Sequence, residues 1–236
     1  MRVLPPVASP TLSEPALVPL AAPSPWAQAL ATAAFRRQVA VLVLLLAGLL
    51  GLLAPFFTYI QQRPGQLLYD PVLPLLPRHD VAVPIFVLMY GATVVGLGWL
   101  FRHPLLLLRG LWALLLLTAF RMASIWVLPL VPPLDILPLP DPFTTLLFHV
   151  PTTAAITKDL FFSGHTSTVA LLAIAVRGRW WRTGLALTAL LVGTLVLVQR
   201  VHYSYDVLAA PLFAWLAYWV AGFIARPVAK AATPAE

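Results

Sequence analysis

Two histidines and one aspartate are the residues of this sequence best suited to do chemistry. His165 lies in Lys158-Asp159-Leu160-Phe161-Phe162-Ser163-Gly164-His165-Thr166, and His202 opens His202-Tyr203-Ser204-Tyr205-Asp206. His202 and Asp206 are four apart, so on a helix they share one face a turn apart. An imidazole titrates near pH ~6.5 and serves as nucleophile or proton donor close to neutrality. A carboxylate one turn away accepts its ring N–H, fixes the tautomer and stabilises the imidazolium that forms on attack. His202 is therefore the expected nucleophile, giving a phosphohistidine when it attacks a phosphoester. His165 is the expected acid for the departing alkoxide. Ser163 and Gly164, where a helix should begin, are expected to offer backbone N–H groups and the helix dipole to phosphate oxygens.

An apolar hairpin has to bring the two histidines together. The runs 166–176 and 185–198 are each apolar enough for a membrane helix, and Arg177, Gly178, Arg179, Arg182 and Gly184 punctuate the turn between them. Down and back, the chain returns to the membrane face it left. The whole chain is 61% hydrophobic and 10% charged with mean hydropathy +0.90, against about half apolar and a quarter charged in soluble proteins. The fold class is thus all-α, a polytopic six-helix membrane bundle. With no cysteine, disulfides, thiolate metal sites and cysteine nucleophiles are excluded. The net charge of +7 comes from residues that flank apolar spans and form no stripe, so nucleic acid is not an expected partner.

In chain order, residues 1–34 read as a Pro- and Ala-rich tail, mostly disordered, in which 26–35 can form a short helix on the membrane surface. The membrane domain covers 35–226, with spans expected over about 38–60, 81–101 and 105–130, then from near Phe161, from near Gly184, and over about 205–225. Residues 227–236 form a second tail. Six crossings put both termini on one side. That side receives Arg36, Arg37, Arg102, Arg177, Arg179, Arg182, Arg226 and Lys230; the other receives Arg63, Arg78, Lys158 and Arg200. The excess marks the first side as cytoplasmic. Asp70, Asp80, Asp135, Asp141, Asp159 and Asp206 then all fall with the histidines on the outer side, where a site facing the periplasm, exterior or lumen explains them.

Arg121 supports a phosphate reading. It lies roughly 24 Å along the third span at 1.5 Å per residue, in the outer half, and a charge at that depth is a functional hypothesis by default. Lys158 and Arg200, at the outer ends of the fourth and fifth spans, are candidates to complete a cationic clamp. Arg109, about one turn into the same span from the cytoplasmic end, reads as a snorkelling structural residue. Other readings stay open. His165, His202 and Asp206 also suit a two-His, one-carboxylate metal site. Ser163 is a weaker hydrolase nucleophile, since no Gly-x-Ser-x-Gly elbow surrounds it. Arg121 can pair with Asp135 or Asp141 to hold the bundle. His79, His103 and His149, taken singly, read as ordinary interfacial residues, and the tryptophans, Trp180-Trp181 among them, as interfacial anchors.

The pair Ser163-Gly164-His165-Thr166 and His202-Tyr203-Ser204-Tyr205-Asp206-Val207 resembles the signature of the type 2 phosphatidic acid phosphatase (PAP2) superfamily. Phe162-Ser163-Gly164-His165-Thr166 and the closeness of His202-Tyr203 to Asp206-Val207 are most similar to its sphingomyelin synthase branch. Arg121 with Leu128-Pro129 and Pro132-Pro133 is similar to an Arg and Leu-Pro segment of that branch, and Asp70-Pro71 with Leu76-Pro77 is loosely similar to its first lumenal motif. The chain departs from the wider phosphatase pattern at Phe162, where that pattern has Pro, and at Val196, where it has Arg. The resemblance implies six spans, an extracytoplasmic His, His, Asp triad, a phosphohistidine intermediate and a phospholipid or lipid phosphate substrate, with no metal or other cofactor. Transfer of a head group to a lipid alcohol such as ceramide or diacylglycerol is the expected reaction. A lipid phosphate phosphatase using water, or a non-catalytic lipid-binding protein, are the alternatives.

Overall fold

A computed structural model describes residues 23–140 and 156–225. Among these residues the chain is helical apart from loops, one 3-10 turn and an isolated bridge between Gln66 and Leu130. The helices are α1 (Pro25–Ala31), α2 (Ala33–Gln62), α3 (Ala82–Leu100), α4 (Pro104–Val127), α5 (Gly164–Ala175), α6 (Arg179–Val198) and α7 (Ser204–Ile224). Five of them, α2, α3, α4, α6 and α7, are long and apolar enough to cross a membrane. They make this an integral membrane protein by length and composition.

α1 and the start of α2 occupy the stretch before residue 35. Ser24 caps α1, its Oγ accepting the Ala27 N–H at 3.2 Å, and Pro25 occupies the first turn, where its missing donor costs nothing. Trp26 then packs edge-on against Phe35, and its Nε1 donates to the Phe101 carbonyl at 2.7 Å, fixing α1 to the α3–α4 connection. The rest of the expected tail, residues 1–22, lies outside the described residues, as do Asp141, His149, Arg226 and Lys230.

The helix that carries His165 departs most from expectation. α5 has 12 residues, about 18 Å at 1.5 Å per residue, against a hydrocarbon core of about 30 Å. It starts at Gly164, later than the expected start near Phe161, and stops at Ala175. The turn is made by Gly178 at φ 96°, a left-handed conformation that glycine adopts without penalty. Because that one residue reverses the chain, Arg179, Trp180, Trp181 and Arg182 join α6 and do not extend the turn.

Short as it is, α5 is the centre of the bundle. It packs against α3, α4, α6 and α7 and buries Thr166, Ser167, Val169, Ala170, Leu171 and Leu172. A close approach is what allows this: a Cβ on Gly193 would lie 2.7 Å from Val207 Cγ1 and 3.4 Å from Thr166 Cγ2. A side chain there would force α5, α6 and α7 apart. α7 contributes a seam of Ala210, Ala214, Ala217 and Ala221, all fully buried, the small-residue face that lets membrane helices meet closely. α2 lies outside, touching α4 and α1, and exposes Val43, Leu44 and Leu52 to what must be hydrocarbon. Arg109 does not snorkel. Its Nε and Nη2 donate to the Tyr218 carbonyl at 3.2 and 3.0 Å, its guanidinium lies 3.9 Å from the Tyr218 ring, and it packs on Gly222, so it pins α4 to α7.

Candidate active site

Five residues join α6 to α7, and each is held. Gln199, with no exposed surface, accepts the Val81 N–H on Oε1 at 2.5 Å and donates from Nε2 to Asp80 Oδ1 at 3.2 Å, which ties the end of α6 to the start of α3. Arg200 follows in the left-handed region, φ 61°, and turns the chain so that His202 faces inward, 2% exposed. Tyr203 caps α7. Its N–H donates to Asp206 Oδ2 at 3.0 Å, and the same oxygen lies 3.3 Å from His202 Nδ1. Thus His202 stands just outside the helix, and its pairing with Asp206 crosses the cap where the sequence pattern predicts one continuous helical face. Asp206 is fully buried, and its Oδ1 has no hydrogen-bond partner among the described residues.

Asp70 supports this corner from more than a hundred residues away. Its Oδ2 accepts the Ser204 N–H at 2.5 Å; its Oδ1 accepts the Ser204 hydroxyl at 3.0 Å and the amides of Val72 and Leu73 at 2.8 and 3.3 Å. One carboxylate therefore caps both α7 and the 3-10 turn Leu73–Leu75. Burial pushes the Asp70 carboxyl up, but these hydrogen bonds outweigh it and hold the group below its ordinary value of 3.8. The Tyr203 hydroxyl completes the clamp, donating to the Val131 carbonyl at 2.9 Å and accepting the Leu68 N–H at 3.3 Å. Neither role has a local sequence signal beyond the Asp70-Pro71 pair. Replacing Asp70 with Asn is expected to cost roughly 1–3 kcal/mol of stability. A depressed carboxyl contributes fully above its unfolded pKa and loses that contribution as pH falls through the folded value. Melting curves should therefore show a gap between wild type and variant at pH 7 that narrows below about pH 4.

At the other motif, Ser163 caps α5, its Oγ accepting from the Thr166 N–H at 3.4 Å and the Thr166 hydroxyl at 3.2 Å. The Ser163 N–H itself donates to the Asp206 carbonyl at 3.1 Å. That bond joins the two motifs directly, and it means that the Ser163 amide, like that of Thr166, is engaged within the protein. The half-buried His165 ring lies 6.2 Å from the His202 ring, centroid to centroid, with Phe86 of α3 at 6.1 Å on another side.

Of the three candidate cations, Arg121 reaches this corner. Its guanidinium sits 2.8 Å from where a Cβ on Gly164 would be, so the glycine is what lets it lie across the start of α5. It donates to Asp159 Oδ2 at 2.8 Å, to the Asp159 carbonyl at 2.7 Å and to the Phe162 carbonyl. Among the described residues its ion-pair partner is Asp159 and not Asp135, while Asp141 lies outside them. Lys158 and Arg200 have loop partners instead: Lys158 Nζ donates to the Arg63 carbonyl at 2.5 Å, while Arg200 donates to the Leu76 carbonyl at 2.9 Å and lies 3.4 Å from Asp135.

Residues 158–223 match the family model described as PAP2 superfamily C-terminal. The match supports membership of the PAP2 superfamily. It begins at Lys158, takes in both histidine motifs and ends one residue short of the end of α7. The PAP2 segment is thus α5, α6 and α7 with the loop that precedes them, the elements that supply His165, His202, Asp206, Ser163 and Gly164. Arg121 and Asp70 come from outside it. No curated protein and no solved structure shows significant similarity to the chain. With five long apolar helices, the PAP2 match points to a phosphatase-type enzyme acting on membrane lipids.

Proposed function

We propose that the protein cleaves a lipid phosphoester through a phosphohistidine on His202 and passes the phospho-head group to a lipid alcohol such as ceramide or diacylglycerol. The observation that carries this reading is His202 Nδ1 facing buried Asp206 at 3.3 Å with the His165 ring 6.2 Å away. With the Nδ1 proton donated to Asp206, Nε2 keeps its lone pair for phosphorus. A P–Nε2 bond forms, the P–O bond to the leaving lipid breaks, and the leaving oxygen takes a proton from His165. His165, now neutral, accepts the proton of an incoming hydroxyl, whose oxygen displaces Nε2 from phosphorus. Arg121 and the start of α5 at Gly164 are assigned to the phosphoryl oxygens, with Ser163 shaping that turn. Lys158 and Arg200 are assigned to the surrounding loops, which their partners tie down.

In this reading the hairpin of α5 and α6 completes six crossings, α5 spanning together with the loop before it. Both termini then lie in the cytoplasm beside Arg36, Arg37, Arg102 and Arg177, and the histidines open to the periplasm, exterior or lumen. The test is turnover by purified protein in mixed micelles of phosphatidic acid, phosphatidylcholine and phosphatidylethanolamine, with and without ceramide, following phosphate and new lipid by mass spectrometry. A new phospholipid that forms only with ceramide supports transfer. Phosphate release without an acceptor makes water the acceptor and the protein a lipid phosphate phosphatase. No turnover, with lipid binding indifferent to His202→Ala, overturns the catalytic reading.

In the same assay Arg121→Lys is expected to raise KM about tenfold with a smaller change in kcat, because a lysine lacks the two-pronged fork. Gly164→Ala should shift KM in the same direction while keeping the charge, since its methyl would enter the space of the guanidinium.

A further inference from the structure

We infer that the end of the bundle opposite the histidines holds a binding site for an anionic phospholipid. A cavity of about 470 Å³ opens there between α1, the start of α2 and the start of α4, and Arg102 and Arg177 stand on its lining. These arginines come from separate connections, α3–α4 and α5–α6, and neither guanidinium makes an ion pair or hydrogen bond among the described residues. The five described acids, Asp70, Asp80, Asp135, Asp159 and Asp206, all sit at the histidine end, so nothing described neutralises the pair. Sidedness of insertion accounts for basic residues on this face. It does not account for two of them sharing one cavity.

Three further features point to what fills it. The cavity is lined by the first turn of α4, whose N-cap His103 makes no side-chain cap bond. The amides of Leu105 and Leu106 therefore have no acceptor within the helix and favour an anion. Gln38 also lines the cavity; its Nε2 is held by the Ile224 carbonyl at 3.3 Å, while its buried Oε1 has no partner among the described residues. Apart from Gln28, Thr32 and His103 the remaining wall is apolar, with Phe35 and Leu108 buried in it, and beside it α2 exposes Val41, Leu44 and Leu45 to hydrocarbon. A phosphate against the arginines and the start of α4, with acyl chains along α2, suits both the charge and the apolar surface. Free phosphate would leave the apolar wall bare.

This site is independent of the histidine chemistry and is tested by binding. Native mass spectrometry of the full chain would be titrated with phosphatidylglycerol, phosphatidylcholine and inorganic phosphate. The expected result is retention of phosphatidylglycerol over both others, weakened at least about tenfold by Arg102→Gln with Arg177→Gln, two charge-assisted contacts being lost. Arg179→Gln with Arg182→Gln removes equal charge from the same face outside the cavity and should leave binding unchanged. Ala34→Phe fills the cavity with every charge in place; it should weaken binding as the first pair does, and it carries the test if that pair fails to fold. No preference for phosphatidylglycerol, equal loss in the 179/182 control, or full retention in Ala34→Phe overturns the proposal.

Discussion

His202→Ala is expected to lower lipid phosphoester turnover by at least about a thousandfold while leaving helix content by circular dichroism unchanged. A nucleophile removed outright leaves only what positioning and electrostatics supply. His165 is 6.2 Å away, ring to ring, and the contact with Asp206 Oδ2 at 3.3 Å is lost with His202. No phosphohistidine should be trapped from the variant by rapid quenching of labelled substrate, whereas His165→Ala should still accumulate some, since it loses the proton donor and keeps the nucleophile. Wild-type rates in His202→Ala would end the mechanism.

Asp206→Asn comes next, with an expected loss of about a hundred- to ten-thousandfold in kcat. The amide has the shape of the carboxylate and can still accept the Tyr203 N–H, so the α7 cap survives. What goes is the negative charge that favours the imidazolium and the acceptor that fixes Nδ1–H. Because the defect lies in charge and tautomer, kcat should fall far more than KM rises, with the melting temperature close to wild type. Asp206→Ala removes the cap as well and should lose stability by about 1 kcal/mol in addition. Comparing the two variants separates the chemical role from the structural one.

The parts of this site visible in the sequence are those governed by short spacing or by cost. His202 and Asp206 show through a separation of four, and Arg121 shows because a charge inside an apolar run is expensive. Asp70 and Gln199 act through partners 134 and 118 residues away, and no periodicity encodes a contact made between loops. The length of α5 was hidden for a different reason. Hydropathy over 166–176 says that the run is apolar, but the helix ends where Val176 turns extended, and Gly178 then starts α6. Likewise the chain shows three cations on the outer side without showing that carbonyls of neighbouring loops claim two of them.

One carboxylate oxygen of Asp206 both ends the α7 cap and faces the His202 imidazole. In the proposed mechanism, folding of that helix end and arming of the nucleophile are therefore the same event. Agents that loosen the outer loops should silence it while the bundle is intact, so lost activity will warn of damage well before any loss of helix does.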